Sequence, residues 1–180
     1  MRWILAISIF LILSEVYSQD TLYYETGELK GYGEMVNGTK HGQWFFFYPN
    51  GNRNAISNYK LGKLEGIQLY YYPDGSLQAE ENWINDLQED STKNYHPNGT
   101  LKRKGVFKEG LYQGVWKYYN DSGQLIQDGS YLGGLPHGDW VFYHENGNVS
   151  QKGTYESGEM KGEWRFYNEK GKLKKRRRYD

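Results

Sequence analysis

Polar and apolar positions in this chain repeat on two scales. Over short stretches large side chains alternate with small or polar ones, and the whole block returns every 24 residues. The segment from Trp140 to Gly147 has counterparts from Trp116 to Gly123 and from Trp164 to Gly171. Gly27, Gly51, Gly75, Gly99, Gly123, Gly147 and Gly171 keep that 24-residue step without an insertion or deletion. Four residues before each of these glycines stands an aromatic: Tyr23, Phe47, Tyr71, Tyr95, Tyr119, Tyr143 and Tyr167. Seven before stand Trp44, Trp116, Trp140 and Trp164, with Gln68 and Thr92 as departures. A fixed period of this length is the signature of a repeat architecture.

The pattern inside one unit is that of a β-hairpin. Asn50-Gly51, Asp74-Gly75, Asn98-Gly99 and Asn146-Gly147 are strong short turn signals, because positive φ suits Asn or Asp followed by Gly. Further glycines at Gly38, Gly62, Gly110, Gly134 and Gly158, and at Gly42, Gly66, Gly114, Gly138 and Gly162, predict a looser turn into the next unit. Trp at seven before the turn glycine and the aromatic at five before share one face at period two. The aromatic at four before points the other way. A lone hairpin is unstable in water, so the units must stack. The expected fold is all-β: an elongated single-layer or solenoid-like ribbon of antiparallel hairpins, about six and a half units long over residues 19–180.

Composition supports this. Aromatics make 17% of the chain, beside 23 glycines, which favours strands and tight turns over helices. There is no cysteine, so disulfides, thiolate metal sites and cysteine nucleophiles are excluded. Formal net charge is zero, which argues against nucleic acid as a partner. One charged run stands out. Lys172, Lys174, Lys175, Arg176, Arg177 and Arg178 read as a last strand that discourages sheet growth, or as a contact for phosphates or an anionic membrane.

Residues 1–18 read as a signal peptide. Met1-Arg2 is followed by an apolar run from Trp3 to Leu13, too short to span a bilayer comfortably, and Val16 and Ser18 suit a cut before Gln19. The alternative is an uncleaved anchor. The expected location is periplasmic or secreted.

The motif Gly-x-Trp-x-Phe-Tyr-x-x-x-Gly-x-Leu, then Gly-x-Tyr-x-x-Gly-x-x-x-Gly, runs here through Gly114, Trp116, Tyr119, Gly123, Leu125, Gly129, Tyr131, Gly134 and Gly138. It resembles the MORN-repeat family, and more closely its short-unit variant in YwqK-type antitoxin-like proteins. The resemblance covers essentially residues 20–180. It implies hairpin ribbons that act as scaffolds, protein-binding surfaces or lipid-associated modules.

Catalytic chemistry finds little support. His41 and His137 share one repeat phase four units apart, roughly 38 Å; His96 and His144 share another, roughly 19 Å apart. Neither pair chelates one ion, and His137 with His144 lacks a third ligand. No metal or cofactor is expected. Glu80, Glu81, Glu89 and Asp90 form an acidic notch in the one irregular unit, from Trp83 to Asn94, where Asp86 and Asp90 replace glycines. Read functionally, the notch interrupts the ribbon; read structurally, it is drift or a small bend. Glu80 and Glu81 face opposite ways on a strand and make a poor acid–base pair. The four tryptophans read as packing between hairpins, or as a platform for sugar rings or an extended peptide. Asn37, Asn98, Asn120 and Asn148 match the glycan acceptor pattern but sit at or near turns that want Asn anyway. The readings that remain are a non-enzymatic exported scaffold with a protein partner, a cell-wall polysaccharide binder, and a toxin-neutralising partner. No catalytic, metal or cofactor residue is assigned, and the ligand-binding residues stay unknown.

Overall fold

The computed structural model describes residues 15–180, so the apolar run from Trp3 to Leu13 lies outside the described residues. Strands occupy Tyr17–Tyr23 (β1), Leu29–Val36 (β2), Thr39–Phe47 (β3), Arg53–Lys60 (β4), Lys63–Leu64 (β5), Gly66–Tyr71 (β6), Leu77–Ile84 (β7) and Leu87–Tyr95 (β8). They continue with Leu101–Lys108 (β9), Leu111–Tyr119 (β10), Leu125–Leu132 (β11), Leu135–Tyr143 (β12), Val149–Glu156 (β13), Glu159–Tyr167 (β14) and Leu173–Tyr179 (β15). All belong to one open antiparallel sheet, in chain order from β1 to β15, with the short β5 paired to β4 alone. Among the described residues no helix forms. Each 24-residue unit therefore adds two neighbouring strands, and the ribbon lengthens by roughly 10 Å per unit.

The two kinds of turn exchange the roles that the sequence suggests. The expected looser turn is the tight one. Val36 pairs with Thr39 across Asn37-Gly38, whose φ angles are 50° and 77°. Leu61-Gly62, Glu109-Gly110, Gly133-Gly134 and Ser157-Gly158 repeat this double positive φ, which is the two-residue hairpin that matches strand twist. The Asn-Gly turns span more residues. Phe47 pairs with Arg53, and the loop between closes through Gly51 N–H to Tyr48 O at 2.9 Å and Tyr48 N–H to Asn52 O at 2.8 Å. Only the glycine there takes positive φ, 84° at Gly51. The dipeptide signal located both turns but not their widths.

The third glycine series lies within the strands or at the start of one. Gly42, Gly114, Gly138 and Gly162 sit in β3, β10, β12 and β14 at φ of 63° to 76°, and the pairing register shifts beside them. These are β-bulges, and glycine supplies the conformation they need.

Candidate interaction surface

One face of the ribbon is a ladder of buried indoles. Trp44, Trp116 and Trp164 are fully buried and Trp140 is 2% exposed. Each indole N–H donates to a backbone carbonyl ten residues earlier: Glu34, Val106, Ser130 and Thr154, at 2.8 to 3.1 Å. Each ring lies against a glycine of the neighbouring strand, namely Gly33, Gly105, Gly129 and Gly153. A Cβ there would come within 2.5 Å or less of indole carbons. Phe46, Tyr118 and Phe142 stack on the tryptophan of their own strand at 5.9 to 6.1 Å. Tyr131 and Tyr155 meet the next tryptophan edge-on at 5.1 Å. A single-layer sheet lacks a second layer to bury its side chains, and this aromatic row fills that need. The tryptophans are packing, so as rings they offer no platform to a sugar.

Two units break the ladder, and both break it as matched pairs. Where Gln68 replaces tryptophan, Ser57 replaces the glycine. Where Thr92 replaces it, Glu81 stands opposite. Gln68 is fully buried, and its Nε2 donates to Asn58 O at 3.1 Å, the same ten-residue reach that the indoles make. Its Oε1 also accepts the Asn58 N–H at 3.0 Å. In the next unit the Thr92 hydroxyl sits 3.4 Å from Glu80 O, and the Trp83 indole turns to Glu81 Oε2 at 3.1 Å. The acidic notch therefore does not interrupt the ribbon. Asp86 and Asp90 hold positive φ at the former glycine positions. Asp86 Oδ1 accepts Leu64 N–H at 2.7 Å and Glu89 Oε2 accepts Glu109 N–H at 2.6 Å. Glu80 lies on the opposite face from Glu81, 3.8 Å from Lys93. Asp86 and Glu89 serve the backbone, Glu80 and Glu81 meet side chains on opposite faces, and the group does not converge.

The ribbon's edges are stitched as well. Tyr24, Tyr48 and Tyr72 each donate a hydroxyl to a carbonyl 23 residues on, at 2.8 to 2.9 Å. His96 and His144 stand in that same phase, and their Nε2 donates to Tyr119 O and Tyr167 O at 2.9 and 3.0 Å. They are half-buried clamps, and the phase they share with the three tyrosines is the signal in the sequence. His137 is exposed in β12, and His41 in β3 keeps a buried Nδ1 without a hydrogen-bond partner. On the other edge Gly62, Gly110, Gly134 and Gly158 donate N–H to the preceding unit at 2.8 to 2.9 Å. Asn98 and Asn148, which match the glycan pattern, spend their side-chain amides on Asp121 O and Glu169 O at 2.7 Å. Asn37 accepts from Val16 N–H, and Asn120 donates to Gln124 Oε1 at 3.0 Å.

The opposite face carries a second row of directly paired residues, running from Tyr32 through Phe45, Ile56 and Leu69 to Glu80, Lys93, Lys104 and Lys117. It continues through Asp128 and Val141 to Lys152, Arg165 and Arg176. Its first four residues are apolar and its later ones mostly basic. Phe45, Ile56 and Leu69 are half-buried, while Lys93 and Lys104 are exposed. Arg53 lies over the Phe45 and Tyr71 rings at 6.0 and 5.8 Å. Lys93, Lys104, Val106, Val115 and Lys117 line an open trough on this face.

Burial marks the ladder side electrostatically. Tyr70 is pushed up to about 12, first by burial and then by the nearby Glu81 charge. Burial and the hydroxyl of Tyr131, 3.0 Å away, push Tyr118 up as well. Lys40, half-buried over the Trp44 ring at 4.7 Å, is lowered by burial and then by Lys30. Among the described residues no group of three or more His, Cys, Asp or Glu is placed to hold a metal ion.

A sheet of this kind, one layer thick and built from stacked hairpins, defines a hairpin-repeat scaffold. The chain belongs to the MORN repeat variant family, whose model matches residues 40–61, 64–85, 91–109, 112–132, 136–157 and 160–180. The unit formed by β1 and β2 lies before the first match and follows the same pairing. No curated protein matches the chain. Repeats of this family generally mediate protein or membrane interactions, and proteins built from them are generally non-enzymatic.

Proposed function

We propose that this chain is a non-enzymatic, exported scaffold that binds a protein partner along the face opposite the tryptophans. The observation that carries the reading is the paired row from Tyr32 to Lys117, apolar at one end, where Tyr32 is exposed, and basic at the other. The ladder face spends its large side chains on packing, whereas this row leaves its side chains available. A partner with an apolar segment followed by acidic residues complements it. The test is capture from an envelope or secreted fraction by wild type and by a Lys93→Glu, Lys104→Glu, Lys117→Glu variant. The reading expects a defined protein retained by wild type and lost by the folded variant. Equal capture by both, or none by wild type, overturns it.

Export rests on the leader-like residues 1–18. Cleavage before Gln19 removes Tyr17 and Ser18 from β1 and leaves Gln19 to Tyr23 paired with β2. Amino-terminal sequencing of the mature chain, starting at Gln19, tests it; a start at Met1 overturns it. A cell-wall role loses the four tryptophans as its platform. A toxin-neutralising role is tested by co-expression with a toxin encoded nearby.

A further inference from the structure

The two end strands of the ribbon have the repeat phases of two strands that pair within it. Among the described residues, the outer edges of β1 and β15 carry no partner strand. Within the ribbon a strand of β15's phase is followed by a strand of β1's phase. The 24-residue step carries Gly33 to Arg177 and Trp44 to Asp20. Gly33 pairs with Trp44, Tyr32 with Phe45 and Gly31 with Phe46 between β2 and β3. The same register between copies sets Arg177 opposite Asp20, Arg176 opposite Thr21 and Lys175 opposite Leu22. Strand direction agrees too. The main path has fourteen strands, so β1 and β15 run oppositely, and a second copy translated along the ribbon offers its β1 antiparallel to β15.

Charge selects this arrangement. The β1 end carries Asp20, Glu25 and Glu28 with no basic residue among residues 19–28, whereas β15 carries Lys174, Lys175, Arg176, Arg177 and Arg178. Joining β15 to β15, or β1 to β1, opposes like charges, so each end repels its own kind and attracts the other. Arg177 and Asp20 lie on the ladder face, where the interior junctions place glycine and tryptophan.

We propose that copies of this chain associate head to tail, β15 of one pairing with β1 of the next, with Arg177 and Asp20 as the matching pair. The contact is heterologous, so it builds a growing series of oligomers and not a closed dimer.

Sedimentation velocity of the purified protein over a wide concentration range, at low and high salt, tests it. Wild type sediments faster as concentration rises, and high salt weakens the effect. Asp20→Arg alone and Arg177→Asp alone each weaken association by about tenfold or more, because each turns an attraction into a repulsion. Mixing the two variants restores it, since each offers the edge the other needs, and the double variant restores it within one chain. Circular dichroism verifies that the variants stay folded. Wild type that remains monomeric throughout, single variants that associate like wild type, or a mixture that stays apart would each overturn the proposal.

Discussion

The indole of Trp140 rests against Gly129 so closely that a Cβ on that glycine would fall 2.1 Å from the ring. The two residues are paired directly between β11 and β12. The glycine is there because the ring is there. Gly129→Ala is therefore expected to destabilise by about 2–3 kcal/mol through overpacking. Trp140→Ala costs about 3–5 kcal/mol. The double variant loses less than the sum, since the added methyl enters the space the ring leaves. Denaturant melts of the three variants measure it.

The Ser57–Gln68 pair makes the reciprocal case. Gln68→Leu strands the Asn58 N–H that the amide oxygen satisfies, an expected loss of about 1–3 kcal/mol, while the Asn58 carbonyl keeps the Glu65 N–H at 2.9 Å. Gln68→Trp alone clashes with Ser57. Combined with Ser57→Gly it rebuilds the pair found at the four regular rungs. Chemical denaturation should then return to wild-type stability or above.

His96 and His144 do the work of tyrosine in their phase. His144→Ala should cost about 1 kcal/mol, the net value of one hydrogen bond, and His144→Tyr should restore it. Thermal melts separate the two. A zinc titration of wild type should leave the melting temperature unchanged.

Leu61 holds a φ of 50° in a turn whose second residue is Gly62. A leucine pays about 1–2 kcal/mol for that conformation, and Asn tolerates it better. Leu61→Asn should raise the melting temperature.

Alkali should unfold the ribbon. Tyr70 has a folded pKa of about 12, above its ordinary 10.0, and Tyr59, Tyr118, Tyr143 and Tyr155 are also raised, each chiefly by burial. The unfolded chain loses these protons first, so stability is full below about pH 10 and falls as pH climbs toward 12. Lys40, lowered from 10.5, acts in the opposite sense, gaining stability as pH rises, but it is one group against five. Melting temperature against pH, with Tyr70→Phe flattening the decline, tests the sign.

Much of this architecture could be read from side-chain spacing. The step from Gly27 to Gly171 gave the all-β plan of stacked antiparallel hairpins, and the period-two placement of Trp44 and Phe46 gave the face they share. Turn width was harder to read. Asn-Gly is compatible with two loop lengths, and the wider one here is tied to the neighbouring unit, whose Tyr71 O accepts the Tyr48 hydroxyl at 2.8 Å. The glycines facing the indoles carry no mark of that role in the sequence, since only cross-strand register lays a ring on each. Asp86, Glu89 and the clamp histidines had no legible role because a sequence lists groups without their backbone partners. The row from Tyr32 to Lys117 was hidden for a related reason: its members are separated in the chain and come together only through cross-strand register.

The exchange of indoles for Gln68 and Thr92 has a mechanical consequence. It leaves one aromatic stack around Trp44 and a longer one from Phe107 to Tyr179, with a hydrogen-bonded seam between them. Because each described strand hydrogen-bonds only to its immediate neighbours, damage spreads by one rung at a time. Heat or force should open the seam first, and amide exchange should find two blocks that come apart separately, the longer one holding out last.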